Sequence, residues 1–119
     1  MRRLKRSECC ILSLVLKRKW YEMIDSGEKR EEYRLATDYW KTRIWNWDYK
    51  SAVKVVLPSV VEFRLGYAAD APRMAFLTER SFFRMRGNYM HPAWGEPMDD
   101  NHIVIAIGER IILEEQHHG

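Results

Sequence analysis

Lys29, Glu32 and Arg34 fall within the run Glu28-Lys29-Arg30-Glu31-Glu32-Tyr33-Arg34, which carries six charges in seven residues. A solvated strand has no need of that density. A site that must hold a cation and an anion close together does. A Lys–Glu–Arg group taken partly out of water presents fixed donors to a phosphate or a base edge, and its carboxylate can accept from an exocyclic amine. On a regular strand Glu32 and Arg34 share a face while Lys29 points to the other. Convergence of all three requires the backbone around residues 27–30 to turn or bulge, which Gly27 permits. Two readings stand side by side: a ligand site, or an ion pair that pins the preceding helix to the rest of the fold.

The elements that must position these side chains are legible on either side of them. Residues 9–16 (CCILSLVL) form an apolar run suited to a buried strand, and residues 17–26 follow with Leu16, Trp20, Met23 and Ile24 at helical spacing. Gly27 ends that helix where a positive φ is wanted. Residues 29–34 read as a strand, and residues 38–49 as a second helix capped by Thr37 or Asp38. Residues 52–57 and 59–67 are strand-like around Pro58; in the second, Val61, Phe63, Leu65 and Tyr67 alternate with Glu62 and Arg64. Residues 73–77 and 82–86 read as one long strand or two, residues 87–101 as a turn-rich loop, and residues 103–107 as the strongest strand, with Gly108-Glu109 leading into residues 110–113. Short strands with two early helices do not alternate as βαβ units do. The expected fold is α+β: a small, mostly antiparallel β-barrel with one or two helices packed on it.

The chain of 119 residues is one domain by length, 46% hydrophobic and 31% charged, with a net charge of +3. The distribution of charge says more than the total. Residues 1–19 carry seven Lys or Arg against Glu8, a sum of +6, so the remainder sums to −3. A basic end on a near-neutral body suits a polyanion such as nucleic acid, or simply a solvated tail. Residues 1–8 are expected to be a flexible basic tail and residues 115–119 to be disordered. The apolar run after the basic start is eight residues long and has no small-residue cleavage site, and no stretch approaches the roughly 20 apolar residues that span a bilayer. A cytoplasmic protein without a membrane partner is expected. Cys9 and Cys10 are adjacent, which suits reduced thiols and leaves no cysteine framework for a disulfide set or a zinc site.

The pattern Gly27-x-Lys29-x-x-Glu32-x-Arg34, placed after an apolar strand and a helix, resembles the signature of the ASCH family in the PUA-like superfamily of small β-barrels. The lead-in ILSLVLKRKWYEMIDSGEK is similar to that family's first strand and helix. His91-Pro92-Ala93-Trp94-Gly95-Glu96-Pro97, followed by Ile103-Val104-Ile105-Ala106-Ile107-Gly108, is similar to its terminal loop and strand. The resemblance implies a cleft lined by Lys29, Glu32 and Arg34 that binds RNA or a modified nucleoside. Some relatives are hydrolases of an acylated cytidine or of RNA, and in the amidohydrolase branch a threonine three residues after the motif lysine is the nucleophile. Here that residue is Glu32, and a carboxylate cannot take a hydroxyl's role unchanged.

Further candidates are weaker. Tyr39, Trp40, Trp45, Trp47 and Tyr49, interleaved with Lys41, Arg43 and Lys50, could stack bases or fill a core, the latter favoured for Trp40. Trp94, in a Pro- and Gly-rich loop, is a stacking candidate or a lid on the barrel's end. Arg64 could line the same cleft or lie exposed. Arg84 and Arg86 read as a solvated ladder, and His91, His102, His117 and His118 show no metal spacing. The expectation is a monomeric domain that needs no cofactor and binds RNA or a nucleotide-like ligand through Lys29, Glu32, Arg34, Arg64 and Trp94. The alternative is a nucleoside hydrolase or ribonuclease with Lys29 as base and Glu32 as its acid/base partner. A water-accessible hydroxyl beside Lys29, such as that of Thr37 or Ser59, would favour the second.

Overall fold

The computed structural model describes residues 1–51, 57–84, 93–95 and 101–115. Within them the chain forms strands β1 (Arg3–Lys5), β2 (Cys10–Val15), β3 (Glu31–Leu35), β4 (Ser59–Arg64), β5 (Arg73–Arg84) and β6 (His102–Glu114), with helices α1 (Arg18–Asp25) and α2 (Asp38–Tyr49). The fold class is α+β. No helix among the described residues is long and apolar enough to cross a membrane.

The sheet runs β1-β6-β5-β4-β2, with β3 also on β6. Strand β6 is the trunk: its first half pairs antiparallel with β3, its last residues pair parallel with β1, and β5 follows it along both halves. Strand β6 runs on through Gly108, but its register with β5 shifts there: Phe76 faces Arg110 and Thr78 faces Ile107, so Gly108 and Glu109 form an irregularity in the ladder. The sheet is mixed rather than mostly antiparallel, since β2 joins β4 in parallel. Its described pairings do not close into a barrel. At the opening, strands β2 and β3 are bridged by a side chain, the Arg34 guanidinium donating to the Val15 carbonyl at 3.4 Å.

One face of the sheet holds the main core, where Leu12, Leu14, Phe63, Met74, Phe76, Ile103 and Ile105 meet Tyr21 and Ile24 of α1 and Ile44 and Trp47 of α2. In α1 the buried stripe is Tyr21 and Ile24, so Trp20 is left only partly covered and turned elsewhere. Helix α2 is capped by Thr37, whose hydroxyl accepts from the Trp40 amide at 3.3 Å. Its far end is tied to β2: the Trp47 indole donates to the Cys10 carbonyl at 2.8 Å, and the Cys10 thiol donates to the Trp47 carbonyl at 3.4 Å.

The other face corrects two expectations. The basic N-terminus is not a loose tail over its first eight residues. Strand β1 pairs with β6 and is followed by a short 3-10 turn, packing Leu4 with Leu113 over Val60, Ala75 and Ile111. Strand β4 is covered on both faces as a result, so its period-2 pattern does not divide core from solvent. Glu62 is only 4% exposed. The pattern also ends early: β4 stops at Arg64, the chain turns through Gly66 at φ 102, and Tyr67 is exposed. The strand expected at residues 52–57 lies almost entirely outside the described residues, as do residues 116–119, Arg86, His91, His117 and His118.

Glu62 is tolerated because Arg6 reaches it. The guanidinium donates to Oε2 at 2.7 Å and to Oε1 at 3.3 Å, and the Ser13 hydroxyl adds a bond at 3.2 Å. Burial by itself would push the Glu62 carboxyl up, but the Arg6 hydrogen bonds and charge, with Ser13, hold it below the usual glutamate range. A carboxyl lowered on folding contributes stability above its unfolded value and loses it as pH falls through the folded one. Arg6→Ala leaves burial dominant, so the order reverses and the variant is penalised as pH rises. Chemical denaturation should show a loss of about 3 kcal/mol near neutral pH for Arg6→Ala, shrinking as the pH approaches 4.

Candidate functional site

The site is built where α1 hands over to β3. After Ser26 closes the helix, Gly27 takes φ 84, a left-handed conformation that glycine adopts without strain. Its amide donates to the Ile24 carbonyl and the Lys29 amide to the Met23 carbonyl, both at 3.0 Å. The chain is thus folded back onto α1 for one turn, and regular strand begins only at Glu31. Lys29 precedes the strand, so its side chain escapes the alternation that would otherwise send it away from Glu32. The three expected residues converge: Lys29 Nζ lies 3.5 Å from Glu32 Oε1, and the Arg34 guanidinium lies 3.4 Å from the same oxygen.

Lys29 is 2% exposed, although lysine is almost never fully buried without a partner. Its ammonium lies 4.7 Å from the Trp20 ring centroid and 4.9 Å from that of Tyr33, so two aromatic rings stand in for part of the lost water. It also donates to the main-chain carbonyl of Trp94. Burial pushes the Lys29 ammonium below the usual lysine range, with the Glu32 charge and hydrogen bond opposing the shift. Arg34 donates to the Tyr33 carbonyl at 2.8 Å and spreads over the Trp40 ring at 5.1 Å.

Glu32 is the focus of the group. Its Oε1 faces Lys29 and Arg34 and accepts from the Tyr33 amide at 2.8 Å. Its Oε2 is buried and has no partner among the described residues. Carboxylate oxygens at such depth are nearly always satisfied, so this one keeps hydrogen-bonding capacity in reserve. The Glu32 residue belongs to the wall of a cavity of about 240 Å³ bounded by Val15, Leu16, Lys17 and Trp20 on one side and by Lys29, Glu32, Tyr33, Arg34 and Gly95 on the other. The cavity occupies the opening between β2 and β3.

Two other expected residues have different positions. Arg64 does not line the cavity; its guanidinium donates to the Ala68 carbonyl at 2.8 Å, within the turn after β4. Trp94 takes part through its main-chain carbonyl, and its neighbour Gly95 forms part of the wall. The Thr37 hydroxyl caps α2, and the Ser59 hydroxyl donates to Ser51 Oγ, so neither stands beside Lys29. Trp20 and Tyr33 are the site residues that sequence reasoning missed. A usable signal is present: an aromatic in the first turn of α1 and another inside the charged motif flank the one lysine that must lose its water. Among the described residues no cluster of three His, Cys, Asp or Glu could hold a metal ion. No family model, curated protein or solved structure matches the chain.

Whether the charge group holds the fold or holds a ligand is decided by how stability responds to its removal. Truncating one partner strands the other, so Glu32→Ala should cost about 3–5 kcal/mol. Removing both charges together, in Lys29→Met/Glu32→Leu, should be neutral or stabilising, because the desolvation penalty disappears with the charges. Lys29 titrates lower in the folded chain than in the unfolded one, so the unfolded chain holds the extra proton between the two values. Its contribution therefore rises with pH across that window, up to the ordinary lysine value. Denaturation of the Lys29→Met/Glu32→Leu variant should lack this alkaline rise. A double variant as damaged as Glu32→Ala would assign the group to fold maintenance.

Proposed function

We propose that this chain is an ASCH-type, PUA-like domain that binds RNA or a nucleotide-like ligand in the cavity lined by Lys29, Glu32 and Arg34, as a monomer in a reducing, cytoplasmic setting. The observation that carries this reading is the buried Oε2 of Glu32, which has no partner among the described residues and belongs to a side chain of the cavity wall. An anionic acceptor held in place by two cations, with one oxygen left over, is matched to a ligand that brings an N–H donor. The exocyclic amine of a base is such a donor. Lys17 and Arg34 on the same wall supply positive charge for a phosphate.

The hydrolase reading keeps one supporting observation, the lowered Lys29 pKa, which favours the neutral amine that a general base needs. Against it, Glu32 occupies the position where the amidohydrolase branch carries its nucleophilic threonine, and the hydroxyls of Thr37 and Ser59 are engaged elsewhere.

A panel of nucleosides, short RNAs and acylated cytidines, read by thermal shift and by product formation, tests both readings. Binding of an amine-bearing base without turnover is expected. Lys29→Ala should weaken that binding by the loss of a charge-assisted donor, about 1.5–3 kcal/mol. Glu32→Gln keeps an acceptor oxygen, so binding should fall only modestly. In a hydrolase the same change would lower turnover by roughly 10²–10⁴-fold while binding survives. Release of acetate from an acylated cytidine, lost in Glu32→Gln, would establish the hydrolase; no binding by any member of the panel would overturn both.

A further inference from the structure

Among the described residues strand β2 ends the hydrogen-bonded path of the sheet, and α2 lies along it. The helix is fastened near both ends. Trp47 exchanges hydrogen bonds with Cys10 at the start of β2, and Trp40 lies against Arg34, which bonds to Val15 at the end of β2. Helix and strand therefore run in opposite senses, with the N-terminal end of α2 at the cavity. A groove of about 310 Å³ follows the strand from Cys10 to Ser13, walled on the helix side by Arg43, Asn46, Trp47 and Lys50. The cavity takes over at Val15. The two hollows are thus successive stretches of one edge, which at about 3.3 Å per residue spans on the order of 16 Å.

The helix presents one stripe to this edge. Tyr39, Arg43, Asn46 and Lys50 are spaced by four, three and four residues, which places them on a single face. Tyr39 is 61% exposed. Arg43 donates to the Tyr39 hydroxyl at 3.1 Å and lies over its ring at 5.8 Å. Neither Arg43 nor Lys50 has a carboxylate partner among the described residues, whereas Arg2, Arg3 and Arg6 are paired with Glu109, Glu114, Glu62 and Glu115. The described walls of cavity and groove together hold five basic residues, Lys17, Lys29, Arg34, Arg43 and Lys50, and one acidic residue, Glu32.

We infer that the β2–α2 edge is a track for a single-stranded polynucleotide, which places one base in the cavity and lays its following phosphates on Arg43 and Lys50 with Tyr39 as a stacking face. This rests on the nucleotide reading of the cavity and adds to it that the ligand is a polymer. It also moves the polyanion surface from the N-terminus, whose arginines each lie beside a carboxylate, to the opposite edge of the sheet. Single-strand sites of small domains combine just these parts, a basic groove and exposed aromatic rings.

The full chain is titrated with four nucleoside monophosphates and with mixed-sequence RNA and DNA hexanucleotides, the two sugars distinguishing the source of the strand. A hexanucleotide should bind at least tenfold more tightly than the best mononucleotide. Arg43→Glu/Lys50→Glu should remove that tenfold advantage, leave mononucleotide binding within about twofold, and lower the salt slope by about 0.7 for each phosphate no longer neutralised. Retained mononucleotide binding also shows that the variant is folded. Arg2→Gln/Arg3→Gln should leave hexanucleotide affinity and slope unchanged. A hexanucleotide that binds no better than a mononucleotide, or whose advantage survives the double charge reversal, overturns the track and leaves the cavity reading standing. Binding of neither class overturns both.

Discussion

The structure is organised around the burial of one ammonium group. Taking a lysine out of water carries a desolvation penalty of several kcal/mol that no single neighbour offsets. Lys29 is accommodated by partners from separate parts of the chain: Glu32 from β3, the Trp20 ring from α1, the Tyr33 ring, and the Trp94 carbonyl from the segment before β6. Each must be in place for the charge to be tolerated. The arrangement therefore couples helix, strand and loop at one point, and it leaves Glu32 Oε2 as the group still lacking a partner among the described residues. A fold maintained only for stability would gain from an apolar replacement there.

A second buried carboxylate shows the contrast. Glu62 is as deep as Glu32, but Arg6 and Ser13 satisfy both of its oxygens, and it is held in its charged form. That group closes the N-terminal segment over the sheet and uses its capacity completely. The same residue types in the β3 motif are arranged so that capacity is left over. Satisfied charge at one face and unsatisfied charge at the other is what separates a clasp from a candidate binding site.

The opening between β2 and β3 has a local cause. A backbone ladder between these strands would require their edges to approach within about 5 Å. The side chains of Lys29, Glu32 and Arg34 stand there instead, and Arg34 reaches the Val15 carbonyl that a neighbouring strand would otherwise claim. The gap in the sheet and the charge group are one feature. The edge of β2, unpaired by any other described strand, also lets α2 set its Tyr39–Lys50 face beside the strand.

Local chemistry is legible in the residues themselves. The helix stop at Gly27, the Thr37 cap, the strands over residues 59–64 and 102–107, and the irregular backbone that lets Lys29 join Glu32 all follow from spacing, capping and glycine's conformational freedom, which act over a few residues. Matters of long-range pairing are not. Nothing near Arg6 announces that it will meet Glu62, 56 residues away, so the basic terminus reads as a tail and β4 as a strand with a wet face. Trp20 reads as core because helical periodicity reports which face is apolar, not what that face will meet. Whether the strands close, which residues complete the Lys29 cage and where Arg64 points depend on contacts between segments far apart in the chain. Their geometry is set only when the whole sheet has formed around the charges it must enclose.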